Sequence, residues 1–282
     1  MAKPLPLAQR LPTRRVRILT GIFLAALLAF FGLDLNLGDL IPRDSGFRLV
    51  LEFFGAAFTP AFTYQSSTGL PEGTSPFLFK VGRGLWTTLT YAIAAMSLSL
   101  IGGMALGLLA SASFWERRHP LWAVLRWAVR LLIAAMRSVH ELLLALVFLA
   151  TLGITPAAAV LAIAIPYSGT LAKVFSEMLD ESPREAADAL SYLGANPLQV
   201  FLIGRLPRAF PDIAAYSFYR FECAVRSSAV MGFFGFTTIG LYLRQSFENL
   251  HYREVWSYLY ALIIVVLILE VWSSQLRRRF VA

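Results

Sequence analysis

Two long stretches without a charged side chain constrain this chain more than any other feature of its sequence. Residues 84–115 and residues 142–172 contain no Asp, Glu, Lys or Arg. Both exceed the roughly 18 apolar residues that indicate a helix crossing a bilayer. The chain is 57% hydrophobic and 15% charged, whereas soluble domains keep roughly 25% charged residues. We therefore predict an all-α integral membrane protein.

The apolar stretches predict six transmembrane helices with both termini inside the cell. The predicted spans cover residues 18–33, 85–112, 121–152, 157–175, 212–234 and 256–275. Of the 25 Lys and Arg residues, 16 fall in predicted inside segments and 6 in predicted outside segments. This asymmetry is what the positive-inside rule predicts. Residues 47–62 are apolar enough to lie on the membrane surface or to re-enter it.

Several classes of function are disfavoured by the sequence. The single cysteine, Cys223, cannot form an internal disulfide. The net charge of +8 comes from basic residues at the ends of spans, so it does not indicate nucleic-acid binding. The three histidines have no metal-ligand spacing. The sequence contains no Gly-x-x-x-x-Gly-Lys-Ser/Thr phosphate loop, so any ATP must be hydrolysed by another chain.

A polar island at residues 182–207 interrupts the apolar sequence between the fourth and fifth predicted spans. Ser182, Pro183 and Glu185 have the spacing of an N-cap, a first-turn proline and a capping-box acid. The apolar residues of the helix predicted to follow share one face: Ala186, Ala189, Leu190 and Leu193. Gly194 then predicts the end of this helix.

A second helix start follows directly. Asn196 and Gln199 have the spacing of another capping box. The short helix is predicted to run to Leu206, before Pro207 redirects the chain into the fifth span.

The island resembles the EAA loop of ABC importer permeases, by which those membrane subunits dock onto their ATPase. The family pattern is Glu-Ala-Ala, three residues, Gly, nine residues and Ile-x-Leu-Pro. The matching residues are Asp188-Ala189-Leu190, Gly194 and Gly204-Arg205-Leu206-Pro207. Asp and Gly replace the family's Glu and Ile, and Glu185-Ala186-Ala187 is three residues out of register. The resemblance implies that coupling to the ATPase involves Asp188, Ala189, Leu190, Gly194, Ala195, Leu206 and Pro207.

Three further segments are similar to permeases for phosphonates and related reduced-phosphorus oxyanions. Residues 137–142 resemble that branch's Arg-Ser-x-Pro-Glu-Leu, with His140 in place of Pro. Residues 219–226 resemble its Tyr-Arg-Phe-Glu-x-x-x-Arg, and residues 232–240 its Gly-rich run, with Thr237-Thr238 in place of a Gly pair. The resemblance as a whole covers residues 85–279.

Charged residues inside the predicted spans are the candidate translocation pathway, because an ionisable group in a span is costly and indicates a function by default. Glu222 and Arg226 are one helical turn apart and are predicted to pair, which leaves Arg220 on another face. Two interpretations remain: an electropositive lining for an oxyanion, which the planar fork of Arg suits, or a structural salt bridge. Arg137 with Glu141 is open to the same two interpretations.

The resemblance implies the permease subunit of an ATP-driven importer in the bacterial inner membrane, with a type I, methionine-permease-like fold. It implies a homodimer, two cytoplasmic ATPase subunits that carry ATP and Mg, a periplasmic binding protein and transport by alternating access. We divide the chain into residues 1–83, with the first span and the outer loop, and residues 84–282, the core permease domain. A permease for methionine or another small solute is the nearest alternative. An intramembrane lipid-modifying enzyme, with His140-Glu141 in its site, is the alternative from another class.

Overall fold

The computed structural model describes residues 14–33, 38, 44–66, 75–114 and 121–281, and every regular element within them is a helix. The chain divides into two compact units, residues 1–55 and residues 56–282. The first unit contains α1 (Arg14–Gly32) and most of α2 (Asp44–Ala57). Helix α1 is long and apolar enough to cross a membrane, as predicted for the first span. Lys3 and Arg10, which contribute to the predicted inside charge, lie outside the described residues.

The second unit contains the remaining helices. They are α3 (Phe77–Ala110), α4 (Leu121–Ser138), α5 (Glu141–Leu152), α6 (Pro156–Glu181), α7 (Glu185–Tyr192), α8 (Pro197–Gln199), α9 (Leu206–Val230), α10 (Ile239–Glu248) and α11 (Tyr252–Val281). A π-helical segment, Val200–Arg205, joins α8 to α9, and a 3-10 turn, Met231–Phe234, follows α9.

The third predicted span is not one helix. Of the described helices, four can cross a membrane singly, and two bent pairs raise the possible number to six. One of these pairs is α4 and α5, which meet at 85°. His140 has extended backbone angles, and its Nδ1 accepts a hydrogen bond from the backbone N–H of Leu142 at 3.3 Å. The prediction of a continuous helix over residues 121–152 is therefore wrong, because His140 caps the start of a second helix.

The fifth span also begins earlier than predicted. Pro207 lies in the first turn of α9, where proline is tolerated, and the helical backbone continues into it from the π-helical segment. Pro211 lies inside the same helix. Pro207 therefore does not redirect the chain. The change of direction comes after the 3-10 turn, where Gly235 adopts φ 96° and α10 departs at 47°.

Small side chains let the central helices α3, α6 and α9 approach closely. Ala95 of α3, Ala162 of α6 and Ala224 of α9 are completely buried in one cluster. On α3, a methyl group at Gly103 would lie 2.6 Å from Cβ of Leu171. Close packing of small residues is the usual means of helix association in membranes. Polar side chains within this core must therefore find partners on neighbouring helices.

Candidate coupling segment and membrane charge cluster

The coupling segment, residues 182–207, begins differently from its prediction. Ser182 follows the last residue of α6, and its hydroxyl donates to the carbonyl of Leu179 at 2.9 Å. Helix α7 starts only at Glu185. The predicted N-cap at Ser182 is therefore wrong, because α6 extends to Glu181 and uses that hydroxyl at its own C-terminal end.

The buried side of α7 is centred on Ala187, which is 1% exposed. Leu190 is half-buried, whereas Ala189 and Asp188 are exposed. Leu193 is 84% exposed. The predicted apolar face of α7 is thus only partly correct. The last turn of the helix instead presents large apolar side chains outward: Tyr192 and Leu193.

The turn between the two short helices agrees with the sequence prediction. Gly194 adopts φ 83°, which L-residues other than glycine and asparagine seldom adopt. The N–H of Ala195 donates to the carbonyl of Leu190 at 3.1 Å. The Asn196 side chain accepts from the N–H of Gln199 at 2.8 Å, and the Gln199 side chain accepts from the N–H of Asn196 at 3.1 Å. The second capping box is therefore confirmed.

Gly204 explains one departure from the family pattern. A methyl group at Gly204 would lie 2.9 Å from Cα of Ala187 and 3.1 Å from its backbone nitrogen. Helix α7 thus packs directly on the backbone of the π-helical segment, and only glycine allows that approach. The isoleucine of the family pattern would not fit at this position.

The coupling segment is attached to the C-terminal ends of α3 and α6. Arg205 is 4% exposed, and its guanidinium donates to the Ser113 hydroxyl. Asp180, near the end of α6, accepts from the Ser111 hydroxyl at 2.7 Å and from the N–H of Ser113 at 2.9 Å. Arg130 lies 3.6 Å from the same carboxylate. A displacement of Arg205 therefore acts on both long helices through Ser113.

A second polar region, the membrane charge cluster, consists of Arg137, Glu141, Tyr167, Arg220 and Ser227. Arg220 of α9 lies over the ring of Tyr167 of α6, with Cζ 4.1 Å from the ring centroid. The Tyr167 hydroxyl and the Ser227 hydroxyl are 2.9 Å apart. The Ser227 hydroxyl donates to Oε1 of Glu141 at 2.9 Å. Helices α5, α6 and α9 are thus joined by one chain of polar contacts.

The predicted pair between Glu222 and Arg226 is absent from the described part of the chain. Glu222 is 6% exposed, and its Oε1 has no hydrogen-bond partner. Arg226 is exposed, and its Nη2 lies 4.0 Å from Sγ of Cys223. Residues one turn apart are close enough to pair, but in this helix their side chains take different directions.

The predicted pair between Arg137 and Glu141 is also not formed among the described residues, because Glu141 lies on a separate helix after the bend and accepts from Ser227. Arg137 packs its stem against Gly169, where a methyl group would lie 3.1 Å from Cγ of Arg137. Both Arg137 and Arg220 lie within electrostatic range of Tyr216.

A cavity of about 590 Å³ lies between the end of α6 and the first half of α9. Its lining residues are Met178, Glu181, Ser182, Pro183, Arg208, Asp212, Ala215, Tyr216 and Tyr219. Tyr216 and Tyr219 belong to the turn of α9 that precedes Arg220. The cavity therefore begins at Ser182 of the coupling segment and reaches Tyr219, the residue before Arg220, and none of the five cluster residues lines it.

Sequence reasoning missed Tyr167, Ser227 and Tyr216. No charge marks these residues, and the hydrogen-bond partners of Tyr167 and Ser227 are 60 or more positions away in the sequence. The signal that could have found them is the position of a tyrosine and a serine in spans already suspected of carrying charges. In the described ranges, no group of three or more His, Cys, Asp or Glu could hold a metal ion.

Comparison with known proteins gives consistent matches. Residues 103–281 match the family model described as "Binding-protein-dependent transport system inner membrane component". The chain is 33% identical over 201 residues to the phosphite transport system permease protein PtxC of Stutzerimonas stutzeri, covering 70% of each protein. It is 28% identical over 194 residues to the phosphate-import permease protein PhnE of Mycolicibacterium smegmatis, covering 69% of this chain and 36% of that protein.

Two groups of solved structures share the fold. A chain of the MetNI methionine ABC transporter, in inward-facing conformations, matches with a TM-score of 0.64 and 20% identity. A chain of an amino acid ABC transporter crystallised with histidines matches with a TM-score of 0.61 and 18% identity. Each match covers 73% of this chain and 99% of the other.

Proposed function

Because the chain belongs to the family of binding-protein-dependent transport system inner membrane components, we propose that it imports phosphite, a phosphonate or a related phosphorus oxyanion as the permease subunit of an ATP-driven transporter. The observation that carries the substrate class is the similarity to a phosphite permease over most of both chains. Family membership and fold confirm the prediction of an all-α ABC importer permease. They also confirm that the chain is a transport subunit and not an enzyme. The shared fold with a methionine transporter carries no argument about the substrate.

In this proposal the core permease domain, residues 84–282, forms a homodimer that binds two cytoplasmic ATPase subunits. The ATPases, which hold ATP and Mg, dock on the coupling segment, where Asp188, Tyr192 and Leu193 are exposed. Exposed large apolar side chains that adjoin one another favour a partner surface. A periplasmic binding protein delivers the substrate on the other side. ATP-driven closure of the ATPases then moves α7 and α9 and alternates access to the pathway.

The pathway in this proposal carries positive charge from Arg137, Arg220 and Arg226. An unpaired arginine in hydrocarbon costs about 2.5 kcal/mol or more on insertion scales, so these side chains require water, an anion or a partner. The fork of the guanidinium matches the oxygens of a phosphorus oxyanion. Glu222, which lies in α9 with Arg220 and Arg226, adds one negative charge to the proposed pathway.

Uptake by the isolated transporter tests the substrate. A tag on this chain would be used to purify the complex from native membranes and reconstitute it in liposomes with its binding protein. We expect ATP-dependent uptake of radiolabelled phosphite, phosphate or methylphosphonate, with two copies of this chain and two ATPases per complex. ADP in place of ATP is the control. Uptake of methionine without uptake of any phosphorus oxyanion would replace the proposed substrate by the alternative.

Thiol labelling tests the proposed orientation, with both termini and the coupling segment in the cytoplasm. Single cysteines would be placed at Ser66 and Glu181, both exposed, in a chain with Cys223→Ser. In intact spheroplasts an impermeant reagent should label position 66, and position 181 should react only after permeabilisation. The opposite pattern would invert the topology.

A further inference from the structure

The side chain of Arg220 rests on an aromatic ring and not on a carboxylate. Its Cζ is 4.1 Å from the centroid of Tyr167, a residue that is 4% exposed. Among the residues that the structure describes, none forms a hydrogen bond or ion pair with Arg220, and its Nε is buried without a partner. An arginine attracted to a ring face is held by the ring quadrupole and keeps its full positive charge.

Two carboxylates, Glu141 and Glu222, are the candidate partners of Arg220, but neither forms an ion pair with it. Glu141 receives the hydroxyl proton of Ser227 at 2.9 Å. Glu222, two residues further along α9, is buried and leaves Oε1 without a partner. An ion pair with either carboxylate would neutralise Arg220, and a substrate anion would have to displace that partner. The contact with Tyr167 avoids this competition, because it occupies none of the five N–H donors with an oxygen acceptor.

The ring of Tyr167 is itself fixed by a directed chain of hydrogen bonds. The single proton of the Ser227 hydroxyl goes to Glu141, so the hydrogen bond between the two hydroxyls must be donated by Tyr167. The phenol is thereby tied through Ser227 of α9 to Glu141 of α5. Three helices hold the ring face toward Arg220.

We propose that Tyr167 is a positioning residue, which keeps Arg220 without a carboxylate partner and directed at an arriving oxyanion. The inference rests on the proposed function, in which Arg220 contacts the anion. Ser227 and Glu141 have the secondary role of orienting the ring. The oxyanion binds the N–H edge of the guanidinium, while the ring supports the cation.

Substitutions at Tyr167 separate the ring face from the hydroxyl. Tyr167→Phe keeps the face and removes the hydroxyl, whereas Tyr167→Leu removes both. The readout is the number of oxyanions taken up per ATP hydrolysed by the reconstituted complex, because general damage to the fold lowers uptake and hydrolysis together. We expect Tyr167→Leu to lower this ratio about five- to thirtyfold, the range of a cation–π contact, and Tyr167→Phe to stay within about twofold of the parent. Tyr91→Leu is the matched control, because Tyr91 is a buried tyrosine of the same core cluster.

The outcomes distinguish the inference from the function on which it rests. A parental ratio with Arg220→Gln would overturn the contact between Arg220 and the anion, and with it the inference. A reduced ratio with Arg220→Gln but a parental ratio with Tyr167→Leu would overturn the inference alone. Equal losses with Leu and Phe would assign the effect to the hydroxyl and also overturn it. If Tyr167→Leu does not assemble with the ATPase, Tyr167→Met supplies the same comparison.

Discussion

The coupling segment and the membrane charge cluster satisfy their polar groups in opposite ways. In the coupling segment the hydrogen bonds that shape the turn join residues three to five positions apart, such as Asn196 with Gln199 and Leu190 with Ala195. In the charge cluster Ser227 reaches Glu141, 86 positions away, and Tyr167, 60 positions away. The difference teaches that short-range pairing predicts the shape of a water-exposed turn but not the partner of a charge inside a helix bundle.

The largest effect is expected from a change at Gly204. Here the coupling segment does not rely on neighbours in the sequence, because Gly204 packs against Ala187. Gly204→Val should displace α7, because the new side chain meets the backbone of Ala187, and overpacking of this kind costs about 1–3 kcal/mol. We expect loss of both ATPase co-purification and uptake. Gly82→Val is the control, since nothing lies within 4 Å of that position. Parental uptake by Gly204→Val would show that the contact does not matter.

A smaller effect is expected at Gly194, where the constraint is local. Its φ of 83° with open space around it means that the penalty comes from the backbone alone, about 1–2 kcal/mol for most L-residues. Gly194→Val should insert normally but lose most ATP-dependent uptake, whereas Gly194→Asn should retain most of it, because Asn tolerates this conformation. Equal activity of the two variants would argue against a role for the backbone angle.

Double-mutant cycles in the membrane sharpen the comparison directly. The cycle of Ser227→Ala with Glu141→Ala should give a coupling energy of about 1.5–3 kcal/mol, as for a hydrogen bond to a charged group. The cycle of Glu222→Gln with Arg226→Gln should give less than about 0.5 kcal/mol, because these residues are not in contact. Thermal unfolding in detergent measures both. A larger coupling for the second cycle would restore the salt bridge expected from the sequence.

The smallest effect on uptake is expected from the capping box. Asn196→Ala removes the side-chain acceptor of the Gln199 N–H but keeps the backbone N–H that donates to the Gln199 side chain. Loss of such an N-cap costs a helix start about 0.5–2 kcal/mol. Hydrogen exchange should increase over residues 197–203 and little elsewhere, with uptake changed by less than about twofold. Asn249→Ala, in the exposed C-cap of α10, is the control. Increased exchange throughout α9 would mean that the cap stabilises more than its own turn.

Much of the fold could be predicted because each apolar stretch specifies its own helix. Helices α1, α3, α6 and α11 lie where long apolar sequences predict them. The break at His140 was missed, because an imidazole that caps a helix is rarer than Ser, Thr, Asp or Asn in that role. The N-cap at Ser182 was misread for a related reason. A hydroxyl between two helices can bond the C-terminal end of the first or the N-terminal end of the second. Because α6 extends to Glu181, the Ser182 hydroxyl bonds the end of α6.

The sequence predicts more of the coupling segment than of the membrane charge cluster. Gly194 and Asn196 could be assigned a geometry from the sequence, since each needs only its neighbours. Arg220 could be identified as unusual, but not its contact with Tyr167, which depends on how α6 packs against α9. The same packing left Glu222 and Arg226 apart.

The unbroken helical backbone from Pro197 through Arg220 has a mechanical consequence. The residues at the two ends belong to one rod, about 35 Å long at 1.5 Å per residue. A tilt of about 5° about the Pro197 end would therefore carry Arg220 sideways by about 3 Å over that length. This shift is comparable to the 4.1 Å that separates the guanidinium from its ring. A small tilt at the Pro197 end of the helix is thus amplified along its length. The resulting displacement of Arg220 is large enough to break its contact with the Tyr167 ring.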